Sequence, residues 1–268
     1  MTRVLLEVKN LSCGYGKTPL DNPVVKNISF SLDEGKSLAI LGANGSGKTT
    51  LLRAIGGVIE YDGSISMLGR EIGSLKRKEI AAMQATFSQL STLYFSYTIE
   101  ETVMLGRYLY SSKFMGILSA KDKEIVDKCL KQNGLYQIKD KQIGELSGGQ
   151  LQRVFLARTL AQETPVLMLD EPTNHLDLKY QDELMSFLNE WKKESTTLAD
   201  GTVVKNTLIG VFHDINLALS IADEVLFVRE GEILAKGSVE EVLTDENLKL
   251  AYDMDVSSYM KKQLNYWK

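Results

Sequence analysis

Cysteine and histidine are scarce in this 268-residue chain, with two of each. Cys13 and Cys129 lie far apart without paired spacing, so neither a disulfide framework nor a zinc cluster is supported. Packed thiols in a reducing compartment are the expectation. Excess positive charge is also missing: 31 Lys and Arg stand against 35 Asp and Glu, a formal net charge of −4. That balance argues against a general nucleic-acid binder, which is usually basic. No apolar run reaches the roughly 18–20 residues that cross a bilayer. Residues 1–10 mix Arg3, Glu7 and Lys9 with apolar side chains, which is not the pattern of a secretory signal. The expectation is a soluble, intracellular protein; if it acts at a membrane, another chain supplies the membrane part. The remaining composition, 44% apolar and 25% charged, is ordinary for a globular chain able to build one large domain or two small ones.

Short apolar runs read as strands at 4–8, 24–32, 37–41, 166–169, 208–212 and 224–228. Within 24–32, the alternation of Ile28, Phe30 and Leu32 fits a half-buried strand, whereas 37–41 is mostly apolar and fits a buried one. Helical spacing lies between them, as in Leu184, Phe187, Leu188 and Trp191, or Val126, Cys129 and Leu130. Strands alternating with helices imply an α/β fold with parallel strands. From about 91 to 163 helical signals dominate, so this stretch reads as a helical insertion. The polar stretch 195–206, with its central Asp-Gly, predicts a surface loop or hairpin.

Gly42-Ala43-Asn44-Gly45-Ser46-Gly47-Lys48-Thr49 fits G-x-x-x-x-G-K-[ST] at every fixed position, after a buried strand and before the helical run that starts at Thr50. Glycines let the backbone fold tightly enough to aim successive N–H groups at one anion, and the helix N-terminus adds partial positive charge. Lys48 is placed to reach the β- and γ-phosphates, and the Thr49 hydroxyl to ligate Mg2+. A second feature closes the strand at 166–169, which runs into Asp170 and Glu171. In a P-loop protein an Asp so placed holds Mg2+. Glu171, one residue on, points elsewhere and suits proton acceptance from an attacking water.

Leu146-Ser147-Gly148-Gly149-Gln150 precedes a helical run at 151–161, with Ser147 as N-cap and exposed N–H groups behind it. Together with the P-loop and the acidic strand end, it resembles the ATP-binding-cassette (ABC) ATPases, whose signature sequence is LSGGQ. The resemblance extends over essentially the whole chain. It implies an α/β P-loop NTPase core, with a mixed, largely parallel sheet, flanking helices and an N-terminal antiparallel β part, and an inserted α-helical subdomain. The expected division of a single domain, 1–268, is a core of 1–88 and 164–268 with a helical signature subdomain at 89–163. By the same resemblance, the nucleotide contacts are Tyr15 stacking on adenine, residues 42–49 with Thr50 on the phosphates, and Ser147, Gly148, Gly149, Gln150 and Asp177 at the dimer interface. Gln89 resembles the Q-loop glutamine that meets Mg2+ and water, with Gln84 a nearby competitor. His213, directly after the 208–212 strand, resembles the switch histidine at the γ-phosphate; His175 is expected to be structural or interfacial.

ABC cassettes pair head to tail, each ATP shared between the P-loop of one and the LSGGQ of the other. The resemblance therefore implies a homodimer with ATP and Mg2+, at the cytoplasmic face of a membrane, bound to permease subunits and served by a substrate-binding protein. One P-loop and one signature indicate a single cassette. Residues 98–108, His213-Asp214-Ile215-Asn216-Leu217-Ala218 and Gly231-Glu232-Ile233 with Gly237 resemble importers of iron–siderophore, haem or cobalamin. Ser88, where proline is common, and the long 195–206 stretch depart from that pattern. A non-transport cassette of the Fe–S assembly type and an exporter ATPase are the alternatives. Tyr94, Phe95 and Tyr97 are read as a docking surface for the membrane subunit, with core packing as the rival. The C-terminal Tyr252, Tyr259 and Tyr266, spaced by seven, are read as a packed helix face.

Overall fold

The computed structural model describes residues 3–16, 21–88, 96–110, 118–174 and 176–267. The chain divides into two compact units, Met1–Leu75 with Thr207–Lys268 and Lys76–Asn206.

The first unit contains a four-stranded antiparallel sheet in the order Val25–Asp33, Val4–Cys13, Tyr61–Met67 and Arg70–Glu71. The expected alternation at Ile28, Phe30 and Leu32 holds: these three are buried while Ser29 and Ser31 face outward. The strand Tyr61–Met67 went unread because Asp62-Gly63 resembles a turn; only its end, with Ile65 and Met67 buried, keeps the period of two. A second sheet places Ser37–Leu41 between Thr207–Val211 and Glu224–Arg229, parallel to both. Glu232–Ser238 adds an antiparallel strand beside Glu224–Arg229. Every residue of Ser37–Leu41 and of Thr207–Val211 is buried, as a parallel strand covered on both faces requires. The helix Lys48–Ile55 buries Leu51, Leu52, Ala54 and Ile55. Each of its larger apolar side chains contributes about 1.5–3 kcal/mol by leaving water.

In the second unit Gln84–Phe87 and Val166–Asp170 pair in parallel. Helices Ile99–Met104, Ala120–Gln132 and Gly148–Leu160 pack around Val103, Val126, Leu130, Val154 and Ala157, so the middle of the chain is helical, as its periodicity predicts. All three of these helices start at capping boxes, Thr98 with Glu101, Ser119 with Asp122 and Ser147 with Gln150, which satisfy otherwise orphaned N–H groups. Arg107 is buried here. Its Nε donates to Asp122 Oδ1 at 2.8 Å, and its Nη1 to the Ala161 carbonyl at 2.7 Å and Glu163 Oε2 at 3.0 Å. Burial works against a charge on Asp122, but hydrogen bonds from Ser119 and Arg107 outweigh it and hold its carboxyl below the ordinary value. The 195–206 stretch is a hairpin of Ser195–Thr197 with Val203–Lys205. Cys13 and Cys129 are both free and buried, and burial pushes each thiol up to about 11, which makes them packing groups.

The C-terminal tyrosines do not share a packed helix face. Tyr252 ends the helix Asp245–Tyr252, Tyr259 lies in Val256–Leu264, and Tyr266 falls in a short 3-10 turn. The left-handed Asp253 between the first two breaks the register that a seven-residue repeat needs. Tyr259 and Tyr266 are exposed, whereas the Tyr252 hydroxyl is buried.

Candidate functional site

The phosphate loop grows directly out of the Ser37–Leu41 strand and ends in the helix Lys48–Ile55, whose N-cap is Gly47. Gly42 has φ +146°, and a Cβ built there would stand 2.2 Å from the Val228 carbonyl oxygen. Only glycine fits that approach. The Lys48 ammonium is buried and donates to the Gly42 and Ala43 carbonyls at 2.8 Å each. The rest of the loop is held by backbone bonds: Ala43 N–H to the Ala251 carbonyl at 3.1 Å, and Gly231 N–H to the Ser46 carbonyl at 3.0 Å. Glu230 and Gly231, with φ of +51° and +84°, form the tight connection between Glu224–Arg229 and Glu232–Ser238, so that hairpin also serves as a strut for the loop.

Ser46 Oγ is buried and has no hydrogen-bond partner among the described residues. An orphaned hydroxyl inside a glycine-lined loop at a helix start is what an absent anion would satisfy. Asn44 and Gly45 are exposed at the loop's rim, and Thr49 is half-buried. Tyr15 is half exposed in the same unit, its hydroxyl accepting from Arg53 Nη1 at 3.2 Å and Thr50 Oγ1 at 3.4 Å. The ring is thus fixed beside the first turns of the helix that follows the loop. His213 is exposed, one residue past the strand Thr207–Val211 with buried Phe212 between, and Asp214 caps the helix Ile215–Leu219 that follows.

In the second unit the Val166–Asp170 strand ends with Asp170 buried. Glu171 adopts φ +54°, a left-handed conformation costly for a side chain with a Cβ, and such strain concentrates at functional sites. Its carboxylate Oε2 accepts from Asn174 Nδ2 at 2.5 Å. Ser147 Oγ accepts from Gln150 N–H at 3.3 Å, and Gln150 Oε1 accepts from Ser147 N–H at 3.1 Å, a reciprocal cap for the helix Gly148–Leu160. Ser147 and Gly148 are exposed, so this helix start is open to solvent. Gln152 Nε2 reaches the Pro172 carbonyl at 2.7 Å and ties the signature helix to the segment just after Glu171. Asp177 is exposed and caps Leu178–Trp191, its Oδ1 accepting from Tyr180 N–H at 3.0 Å. Gln84, the competitor to Gln89, is buried in its strand, and its backbone carbonyl accepts from Gln162 Nε2 at 3.0 Å. Gln89, Tyr94, Phe95 and His175 lie outside the described residues; Tyr97 is partly exposed.

Sequence reasoning gave no site role to Asn174, Gln152 or Ala251 and quoted Gly231 only within a family resemblance. Asn174 and Gln152 act through side-chain amides that no pattern marks, and Gly231 and Ala251 through backbone atoms. Gly231 alone carried a signal, as a glycine after Glu230 between two apolar runs.

A family model described as "ABC transporter" matches residues 25–174. The chain belongs to the ABC transporter family. It is an ATPase of that family and binds ATP. Over 254 residues this ABC chain is 37% identical to the ATP-binding protein YvrA of Bacillus subtilis (strain 168), covering 94% of the chain but 54% of YvrA, about half that relative's length. It is 34% identical over 253 residues to the petrobactin import ATP-binding protein YclP of the same organism, covering 94% of each. Among solved structures it is similar to a metal-chelate type ABC transporter in an inward-facing conformation, with a TM-score of 0.74, 26% identity, and 93% of this chain and 89% of that one covered. A dimeric ATP-binding cassette in a post-hydrolysis state with ADP and Pi matches with a TM-score of 0.73 and 27% identity, covering 88% of this chain and 99% of that one. These likenesses bear out the α/β P-loop fold. Among the described residues, no helix is long and apolar enough to cross a membrane.

Proposed function

We propose that this ABC ATPase energises an importer of a metal chelate of the iron–siderophore, haem or cobalamin class, as a head-to-tail homodimer bound to permease subunits at the cytoplasmic face of a membrane and fed by a substrate-binding protein. The observation that carries the nucleotide chemistry is the glycine-lined loop at 42–49, with its buried lysine and its unpartnered Ser46 hydroxyl. The importer reading is supported by the similarity to a petrobactin import protein and to a metal-chelate transporter, and by the motifs at 98–108 and after His213.

In this reading Lys48 exchanges its two loop carbonyls for the β- and γ-phosphates, and the loop N–H groups with Ser46 and Thr50 complete the cradle. Tyr15 stacks on the base. Thr49, Asp170 and Gln89 present oxygen donors, the chemistry that suits Mg2+. When bound, that ion offsets phosphate charge. Glu171 accepts the proton of the attacking water, with Asn174 fixing the carboxylate, and His213 donates toward the γ-phosphate. Ser147, Gly148, Gly149, Gln150 and Asp177 close on the partner's nucleotide. Closing and opening of the pair is the two-state change that drives the permease.

The test is Glu171→Gln in the full chain. ATP binding stays near wild type, turnover falls about 10²–10⁴-fold, and ATP traps the dimer on gel filtration. Turnover within threefold of wild type removes Glu171 as the base.

A further inference from the structure

In the second unit the chain leading into the signature is bonded to an earlier segment. Residues 96–98 enter the helix Ile99–Met104, and residues 139–145 run into Leu146-Ser147-Gly148-Gly149-Gln150. Thr98 and Gln142 form an antiparallel β-bridge. Around it the Glu100 N–H donates to the Lys139 carbonyl at 3.0 Å, the Ile99 N–H to the Lys141 carbonyl at 3.0 Å, and the Ile143 N–H to the Tyr97 carbonyl at 2.9 Å. The Ile99 and Ile143 side chains are both buried in the core of the three helices. The Gln142 side chain extends the pairing. Its amide faces two carbonyls, so its nitrogen is the atom directed at them, donating to Ser96 at 2.9 Å and to Tyr97 at 3.2 Å. There is little slack between this contact and the signature. The Glu145 N–H donates to the Gln142 carbonyl at 3.1 Å and the Leu146 N–H to the Ile143 carbonyl at 3.3 Å, closing a 3-10 turn whose C-cap, Leu146, is the residue before Ser147.

Ser147 and Gly148 are exposed, and the Ser147 cap with Gln150 is a bond within the signature itself. Where this helix start stands therefore depends on the helix behind it and on the turn in front of it. Gln142 is the residue from which that turn springs, and its amide binds two successive carbonyls. A side chain with one such bond can swing; with two it fixes both distance and direction. Each bond is neutral and adds little to folding stability, so its consequence is in placement. We propose that Gln142 is a positioning residue of the signature: its amide holds the turn at 143–145 against residues 96–97 and so sets where Ser147 and Gly148 stand when they meet a partner's nucleotide. This rests on the reading that the signature closes on the ATP of a second copy.

The experiment uses the full chain carrying Glu171→Gln, which ATP is expected to trap as a dimer, with Gln142→Glu or Gln142→Lys added. Glutamate keeps the shape but turns an acceptor toward two carbonyls; lysine keeps a donor. Sedimentation gives the dimer association constant in ATP and Mg2+. The fluorescent analogue mant-ATP gives the nucleotide affinity at a protein concentration where the chain is monomeric. Gln142→Glu is expected to dimerise about fivefold more weakly, the value of one hydrogen bond, with mant-ATP affinity within about twofold of the parent. Its amides at 142–150 should exchange with solvent faster than the parent's in the absence of nucleotide. Gln142→Lys should dimerise like the parent. If Gln142→Glu melts below the assay temperature, Gln142→Ala takes its place with the same expectations. Parent-like dimerisation without the amide overturns the proposal. So does an equal loss in Gln142→Lys, which makes the side chain a packing group, and so does a loss of mant-ATP affinity as large as the loss of dimerisation. If the Glu171→Gln parent itself stays monomeric in ATP, the reading of a shared nucleotide falls and the proposal with it.

Discussion

Arg107→Ala is the substitution whose cost the structure bounds best. The guanidinium has three hydrogen-bond partners of unequal weight and lies over the Tyr110 ring, 4.1 Å from its centroid. Asp122 is as buried as Arg107, with side-chain exposures of 7% and 4%, whereas the Glu163 side chain is 49% exposed. Truncation leaves the buried Asp122 carboxylate without its counter-charge, held only by Ser119, which costs about 3–5 kcal/mol. It also takes a donor from the Ala161 carbonyl. The Glu163 contact, screened by solvent, is worth about 0–1 kcal/mol. Urea unfolding should therefore rank Arg107→Ala far above Glu163→Gln, with a melting shift near 10 °C for the former, at about 2–4 °C per kcal/mol for a chain of this size. Replacing both partners by apolar residues, Arg107→Met with Asp122→Leu, should recover most of the loss. The sign of the acid limb follows from the depressed Asp122 value. Its contribution is full above the unfolded carboxylate pKa, about 4, and is lost as pH falls through the lower folded value. Arg107→Ala should flatten that limb. A cost under 1 kcal/mol for Arg107→Ala, or equal costs for it and Glu163→Gln, would refute the reasoning.

Two glycine substitutions separate folding from turnover. Gly42→Ala drives a Cβ against the Val228 carbonyl at a left-handed position, and should cost about 2–5 kcal/mol with loss of nucleotide binding; thermal melts with and without ATP check it. Gly148→Ala meets nothing within 4 Å among the described residues and sits at a helix start, so the melting temperature should hold or rise. Its ATPase rate should nevertheless fall at least fivefold if the signature helix closes on a partner's nucleotide, and unchanged turnover would reject that contact.

Much of the first unit was legible because its chemistry is local. The loop at 42–49 states its own conformation through glycine spacing, and the fully apolar strand before it admits few other readings. The signature helix was legible for the same reason, since Ser147 and Gln150 are three residues apart. Groups that act across sequence distance were not. The Ala251 carbonyl takes the Ala43 N–H from far along the chain, and the spacing of Tyr252, Tyr259 and Tyr266 suggested a helix face that the left-handed Asp253 interrupts. The stretch 98–108 carries a family resemblance, but nothing in it tells that Arg107 is buried on Asp122. Burial of a charge depends on partners that folding alone brings close.

The two surface hairpins differ in what they leave free for engineering. The tip of the Ser195–Thr197 and Val203–Lys205 hairpin is exposed at Asp200 and Gly201, and its base is fixed independently by Asn206, whose Nδ2 donates to the Trp191 carbonyl at 2.9 Å. A fluorophore or affinity tag inserted there would disturb only the tip. The turn at Glu230 and Gly231 looks equally short and superficial in sequence, yet its N–H and carbonyl bind Ser46 and Lys26. A probe placed in that turn would report on the phosphate loop by damaging it.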